Sequence, residues 1–496
     1  HDFAAGTSGR SSKIIHGGLR YLKNFDFRLT WESCHERNLH VRLNRRLVQP
    51  WPFLIPVYEE IGESPALLRS GMWLYELMSG FRNYRRHRFL SREETLLMAP
   101  ALAVQGLTGG ILYYDAVVSD HRWTLETLKD GIRHGGLALN HARVTGLSKT
   151  NDKVCGATWQ DQLSGGTYEI RAEAVVNATG IWADRIRKLD QKDASNLVKL
   201  SKGTHLVFAE DDVPLTVSTV FFSSFDKRPL FMVKRDRCFL FGTTDEWDDG
   251  EPDAPAPGEG EIDYLLKSIG QYMPGSQLDR KKIRSGYSGF RALPAKDDAG
   301  TGPSSVTRED LVEVSPSGLV TVIGGKLTTA RLMAYRVLKQ VARTVGERRV
   351  HSQCQTDKLS IGGTNEEVAE GYAYWVRQCP ELRGYFLAMY QRYGLDAHDI
   401  CAQVTKAFLS GGHDQMGEMT MAELEYICRN EMPCTLEDLV ERRAAFLHWD
   451  STKRLEQLQC VKTTISKELD IDEDEYRQGY RDYQDYLKRF HTVPQQ

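Results

Sequence analysis

The stretch Ile15-His16-Gly17-Gly18-Leu19-Arg20-Tyr21-Leu22 decides how the rest of the chain is read. Its paired glycines let the backbone approach a flat or anionic group and admit dihedrals closed to other residues. His16 stands on one side, and Arg20 and Tyr21 on the other. One turn thus carries a titratable ring, a fixed positive charge and a phenol, the equipment for an anionic substrate and a proton transfer. A simple chain reversal with solvated charges fits the same residues, since Gly-Gly is also a common turn signal. Just before it runs Gly6-Thr7-Ser8-Gly9-Arg10-Ser11-Ser12-Lys13, rich in hydroxyls.

The 496 residues are enough for two or three domains and a large core. Apolar content of 41% and charged content of 26% describe an ordinary globular protein. A net charge of -3 argues against nucleic acid as a partner. Nine cysteines without a C-x-x-C fit a reducing compartment, where each serves as a small buried apolar residue. Asn177-Ala178-Thr179 is read as a chance match to the glycosylation sequon. No apolar run of about 18 residues would cross a membrane as a helix.

Along the chain, helical spacing is expected over Asp26–Val48, closed by Pro50 and Pro52, with Leu29, Leu39, Val41, Leu43 and Leu47 as its apolar positions. Trp51–Tyr58 reads as a strand. Ala66–Phe81 reads as an apolar helix flanked by Arg82, Arg85, Arg86, His87 and Arg88. It is either a core helix or one that lays its Trp, Phe and Met residues on a membrane surface while the arginines meet anionic headgroups. A helix over Asp120–Ala142, a strand over His141–Leu147 and a hairpin over Thr158–Ala172 turning at Ser164-Gly165-Gly166 follow. Ala174–Gly180 is a strand running into a small-residue turn, and Trp182-Ala183-Asp184 opens a helix, an arrangement that can aim backbone N–H groups at a phosphate. Leu200–Asp245 is strand-rich and Asp248–Glu261 a loop, with a helix over Ile262–Tyr272. Tyr287–Pro294 is extended, Asp297–Ser305 a loop, and Leu319–Ile323 a buried strand entering Gly324-Gly325-Lys326-Leu327-Thr328-Thr329, with a helix from Ala330 to Val345. From Asn365 onward the chain is helical, after a boundary near Val350–Gly363, and Thr435 with Asp438 forms a capping-box-like start. Asp470, Asp472 and Asp474 imitate a calcium loop, but Glu475 and Arg481 occupy the wrong positions. That segment is read as an acidic helix start, and no metal is expected.

Gly6–Leu22, Val176–Asp184, Gly203–Phe208, Gly242–Asp245, Tyr287–Pro294 and Ile323–Thr329, in this order and spacing, resemble the FAD-dependent glycerol-3-phosphate dehydrogenases. The resemblance covers nearly the whole chain, including the helical stretches Leu395–Phe408 and Glu423–Trp449. It implies a mixed α/β and α+β fold: an FAD-binding Rossmann-like part interleaved with an antiparallel-sheet substrate domain, then an all-helical C-terminal domain. The expected division is 1–200 for the FAD part, with an inserted segment near 45–115 facing substrate or membrane; 201–318 for the substrate sheet; 319–350 for the return to the FAD part; and 351–496 for the helical domain. The implied reaction oxidises sn-glycerol 3-phosphate to dihydroxyacetone phosphate and passes electrons to a membrane quinone. A homodimer held peripherally at the inner face of the cell membrane, with a cytoplasmic body, is implied as well. The alternatives are an oxygen-reducing glycerol-phosphate oxidase and a non-catalytic membrane-associated relative. The family's opening G-x-G-x-x-G unit does not occur in the sequence, and Gly9 stands where the family usually has Ser. The expectation is that about 30–40 residues of such a unit precede His1.

The resemblance also distributes roles. His16 is the first choice for general base, with His205 the competitor. Arg20, Tyr21, Arg291 and, less directly, Arg308 hold the substrate phosphate, for which a planar guanidinium is suited. Lys326 sits at a helix start where negative charge on a reduced flavin is stabilised. Thr7, Ser8, Ser11, Ser12, His16, Gly17, Gly18, Ala178, Thr179, Gly180, Gly324, Gly325, Lys326, Leu327 and Thr328 are expected along FAD. Thr328 and Thr329 are candidates for capping the helix that follows.

Overall fold

The computed structural model describes residues 1–496 except 24, 61–62, 254, 296–301, 304–305, 307, 347–353, 411–414, 445–450 and 492–496. Its largest element is a mixed sheet of ten strands among the described residues. Eight follow one another in the order Ile14–Ile15, Leu107–Val118, Val48–Tyr58, Ser218–Phe222, Pro229–Arg235, Cys238–Gly242, Val198–Ala209 and Glu246–Trp247. Ile283–Pro294 also pairs with Val198–Ala209, and Arg88–Leu90 with Leu107–Val118. Neighbours are antiparallel except Val48–Tyr58 and Ser218–Phe222, which run parallel. The segment near 45–115 therefore contributes two central strands to the same sheet as the 201–318 segment.

Side chains alternate across the pleat, so each strand feeds two cores. Leu206, Phe208, Met232, Phe239 and Phe241 pack with Ile262, Leu265 and Ile269 of the helix Glu259–Tyr272. Val207, Val233, Leu240, Phe53 and Ile55 pack on the opposite face with Leu68, Met72 and Tyr75 of the helix Pro65–Met78. Met72, expected among membrane-inserting residues, is only 1% exposed, because its position in the turn of the helix faces the sheet. Trp73, Leu77 and Phe81 remain exposed.

A second, three-stranded sheet joins Asp310–Val314, Val320–Gly324 and Val176–Asn177, the last two parallel. The helices Ala183–Asp190 and Ala330–Val345 follow its two small-residue turns. The hairpin expected over Thr158–Ala172 is present as Lys153–Asp161 and Thr167–Arg171.

Three expected boundaries move. The first long helix is Phe27–Leu43 and stops at Asn44, before the prolines. Pro50 and Pro52 sit inside the strand Val48–Tyr58 instead, in the part that the parallel neighbour, paired only at Phe53 and Leu54, does not reach. The same helix buries Glu32, Ser33, Glu36, Arg37 and His40. Its polar face turns inward because Arg331 meets Glu36 and Arg336 meets Glu32 from the helix Ala330–Val345. The helix from Asp120 ends at Arg133, where Gly135 takes a φ of +90°.

The C-terminal domain is a helical bundle around Phe386, Met389, Ile400, Ile427, Leu458 and Ile465. Thr435 and Asp438 cap one another's backbone N–H groups, as expected, at 3.0 and 3.1 Å. Asp472 opens the last helix in a reciprocal capping box with Glu475, the acidic helix start read from sequence. Buried ion pairs fasten this bundle to the rest: Arg122 to Glu431, and Arg442 and Arg443 to Asp2. All nine cysteines are free thiols. The loop expected over Asp297–Ser305, the boundary at Val350 and Trp449 fall outside the described residues in whole or part.

Candidate active site

A cavity of about 680 Å³ opens between the large sheet, the helix Pro65–Met78 and the turn after Val320–Gly324. Its wall includes Thr7, Ser8, Ser11, Ser12, His16, Tyr21, Ala178, Gly180, His205, Arg291, Arg308 and the run Gly324–Thr328. Elements more than 300 residues apart in sequence thus meet around one space. Gly17, Gly18 and Thr179 do not line it. The side chain of Arg20 lies outside the described ones, so its phosphate role is not located.

One end of the cavity is an arginine cluster. The register pairs Arg291 with Ser201 and Gly289 with Gly203. A β-carbon at Gly203 would fall 2.3 Å from an Arg291 nitrogen, so glycine there makes room for the guanidinium. Arg291 donates to Asp245 Oδ1 at 3.1 Å and Thr243 Oγ1 at 3.0 Å. Arg308 donates to Asp245 Oδ2 at 3.0 Å. Arg228 reaches the Asp245 carbonyl at 3.2 Å, and Ser201 also donates to the Asp245 carboxylate. Burial would raise the Asp245 carboxyl, but Arg291 and Arg308 hold it well below the usual carboxylate range. Three guanidiniums thus gather at this end, one of them also 3.6 Å from Asp226, and desolvated guanidiniums gain from an added anion.

The other chemistry gathers at the glycine turn. The His16 ring lies 6.2 Å from Tyr21 and 6.4 Å from Phe231. Lys326 Nζ stands 4.1 Å from the Tyr21 ring centroid and donates to Ser33 Oγ. Tyr21 is therefore placed with Lys326 and His16 and not with the arginines. Gly18 has a φ of +81°, and a β-carbon on Gly17 would strike Tyr75 Oη at 2.3 Å. Asp115 anchors this turn from below, accepting from Gly17 N at 3.2 Å, Tyr75 Oη at 2.7 Å and Arg37.

His205 separates the two regions. It stacks on Tyr287 at 4.8 Å, and its Nε2 meets Ser12 Oγ at 2.8 Å. Burial first, then Arg291 and Lys13, push its pKa down to about 3, so the ring is neutral. Several hydroxyls expected on the dinucleotide are spent inside the protein. Thr7 donates to Phe290 O at 2.6 Å, Ser11 to Asp120 at 2.7 Å, and Thr179 to Asn177 at 2.7 Å. Thr328 exchanges hydrogen bonds with the His16 backbone, and Thr329 makes no side-chain cap at the following helix, because the 3-10 turn Leu327–Thr329 already leads into it.

Asp115, Arg37, Tyr75, Asp245, Arg228 and Asp120 were not picked out from sequence. Only Asp245 carried a signal, as the end of Gly242-Thr243-Thr244-Asp245. Asp120 is fully buried and binds Lys13 at 2.6 Å beneath Ser11 and Ser12. Burial alone would raise its pKa, but the Lys13 ammonium brings it down to about 2 from the ordinary 3.8. A depressed carboxylate stabilises the fold above its unfolded pKa. That contribution, about 2 kcal/mol, should fade as pH falls from 3.8 to 2. Asp120→Asn should lower chemical stability at pH 7 by about 3–5 kcal/mol, since Lys13 is then buried without a counter-charge. Equal denaturation midpoints for the two proteins would refute the pairing's importance.

The residues present fit the flavin end of FAD. Gly324 and Gly325, with φ of +75° and +73°, bare their backbone on one wall. The buried His205 Nδ1 has no hydrogen-bond partner among the described residues. The volume suits a cofactor and a small substrate together.

The sequence pattern of the FAD dependent oxidoreductase family matches residues 1–335, and that of the C-terminal domain of alpha-glycerophosphate oxidase matches 354–476. The chain is 33% identical to a glycerol-3-phosphate dehydrogenase of Mycobacterium leprae (strain TN), over 89% of this chain and 75% of that protein. It is 30% identical to the aerobic glycerol-3-phosphate dehydrogenase of Bacillus subtilis (strain 168), over 90% of this chain and 82% of that one. The fold is similar to that of the glycerol-3-phosphate dehydrogenase from Bacillus halodurans, solved with FAD, with a TM-score of 0.78 and 24% identity over 99% of this chain and 88% of that one. With its arginine cluster, its glycine turns and its helical C-terminal domain, the chain belongs to the FAD-dependent glycerol-3-phosphate dehydrogenase family.

Proposed function

We propose that the protein oxidises glycerol 3-phosphate to dihydroxyacetone phosphate at this cavity and delivers the electrons to a membrane quinone. The observation that carries the reading is the convergence of Arg291, Arg308 and Arg228 on Asp245 in the same cavity as the Gly324–Thr328 turn. FAD, when bound, supplies the hydride acceptor. The arginines take the phosphate dianion and fix which end of the substrate enters first. His16 takes the hydroxyl proton, a role that an imidazole in a mixed polar and aromatic setting can fill. His205, held neutral with its Nε2 on Ser12, orients the alcohol through Nδ1. Lys326 supplies positive charge beside the glycine turn.

The cavity's other end supports a membrane quinone as the acceptor. Leu22, Phe25, Phe27, Leu67 and Leu74 line it. Phe25, Phe27 and Leu67 are also exposed, and with Trp31, Trp73, Leu77 and Phe81 they make an apolar surface beside the exposed Arg82, Arg85, Arg86 and Arg88. Such a surface suits shallow insertion into an anionic bilayer. No helix among the described residues is long and apolar enough to cross a membrane.

With FAD bound, anaerobic glycerol 3-phosphate should bleach the flavin absorbance. A short-chain quinone in anionic vesicles should restore it faster than air does, and the protein should float with those vesicles. An unbleached spectrum sinks the substrate assignment. Faster recovery with oxygen makes the protein an oxidase, the reading favoured by the domain matched at 354–476.

A further inference from the structure

A second cavity, of about 510 Å³, lies farther along the same face of the large sheet, against the C-terminal helices. Its wall carries ten lysine and arginine side chains and two carboxylates among the described residues. Most of the cations are matched by acidic groups behind the wall. Lys13 has Asp120, Lys234 has Glu210 at 2.7 Å, Arg392 has Glu423 at 3.0 Å, and Arg442 and Arg443 share Asp2.

Arg10 and Arg235 are different: no carboxylate among the described residues pairs with either. Arg10 donates weakly to Tyr486 Oη at 3.4 Å and stands 5.5 Å from the Phe490 ring centroid. Arg235 ends the strand Pro229–Arg235 on the same wall. The two histidines there, His121 and His491, add no charge; burial first, with Lys13 acting in the same direction, lowers them to about 3 and 4. The space is thus lined, among the described residues, by two guanidiniums without a carboxylate partner against one carboxylate without a cation partner, Asp236, flanked by paired cations and backed by the apolar faces of Trp51 and Phe490. A guanidinium presents a planar fork that matches a phosphate bidentately, and an aromatic face accepts a flat ring. The volume exceeds what a single phosphate fills.

We propose that this interdomain cavity binds a multiply charged phosphate ligand, a free polyphosphate or a nucleotide, through Arg10 and Arg235. Arg10 lines both cavities, whereas Arg235 belongs to the second alone, so the two sites are neighbours that share one wall residue. Arg10 also precedes Ser11 and Ser12, whose side chains hold Asp120 and His205, so an occupant is in contact with the segment that orders the first cavity.

The test is isothermal titration of the FAD-loaded protein at constant ionic strength with inorganic pyrophosphate and, separately, with adenosine diphosphate. Saturable binding of at least one is expected. Arg10→Gln and Arg235→Gln should each weaken it about tenfold or more, as loss of a charge-assisted pair does, while Arg291→Gln leaves it unchanged. Arg235→Gln should also keep the turnover of glycerol 3-phosphate, which separates this site from the catalytic reading. Binding of both probes points to the phosphates alone, and of the nucleotide alone to its base as well. No saturable heat with either, or binding that Arg291→Gln abolishes and Arg235→Gln spares, overturns the proposal.

Discussion

Replacing Arg291 by alanine should raise the KM for glycerol 3-phosphate about 10- to 100-fold, the loss of roughly 1.5–3 kcal/mol of charge-assisted hydrogen bonding. The value of kcat at saturation should move far less, because the phosphate is held equally before and during the reaction. The protein should still fold: Asp245 keeps Arg308 and Ser201 when Arg291 is gone. Steady-state kinetics with glycerol 3-phosphate, set beside glycerol as the substrate without a phosphate, give the cleanest reading. An unchanged KM would remove Arg291 from the site, and the phosphate would then have to be sought at Lys326 and Tyr21.

The second large effect concerns the proton. His16→Gln should slow anaerobic flavin reduction by about 10²- to 10⁴-fold if His16 is the base. The same substitution at His205 should cost far less, since a ring whose pKa is pushed down to about 3 accepts a proton poorly and acts by orientation. The pH profile discriminates further. Loss of His16 should abolish the general-base ionisation in that profile, whereas His205→Gln should retain it. If His205→Gln proves the slower variant and erases that ionisation, the roles exchange.

The strands were legible because β-branched and aromatic runs bounded by turn residues carry their own period. Leu230–Lys234 and Tyr287–Pro294 fall within the observed strands Pro229–Arg235 and Ile283–Pro294. The helix Phe27–Leu43 was legible as a helix but not as a surface. Leucine spacing suggested an apolar face, while the chain buried the charged one, because its partners lie some 300 residues further on. Arg37 and Asp115 were hidden for the same reason: each is an ordinary charge until Tyr75 and Gly17 N–H arrive from elsewhere. Arg308 was a loose match within a Gly/Ser-rich stretch, and only its place on Asp245 ties it to Arg291. The paired glycines at 17–18 and 324–325, by contrast, announced themselves, since a positive φ beside a crowded wall leaves few other residues.

One strand has a further consequence. Ser201, Gly203 and His205 lie on the same edge-to-edge pairing, opposite Arg291, Gly289 and Tyr287. They are spaced by the strand's own rise of about 3.3 Å per residue. The strand Val198–Ala209 is clamped between Ile283–Pro294 and Cys238–Gly242, so it cannot slide by one residue without turning its whole inner row outward. It therefore works as a fixed ruler, setting the interval between the anion-holding end and the alcohol-orienting end. A relative of this protein that handles a longer or shorter phosphate ester must change its side chains or its loops, because the graduations themselves cannot be moved.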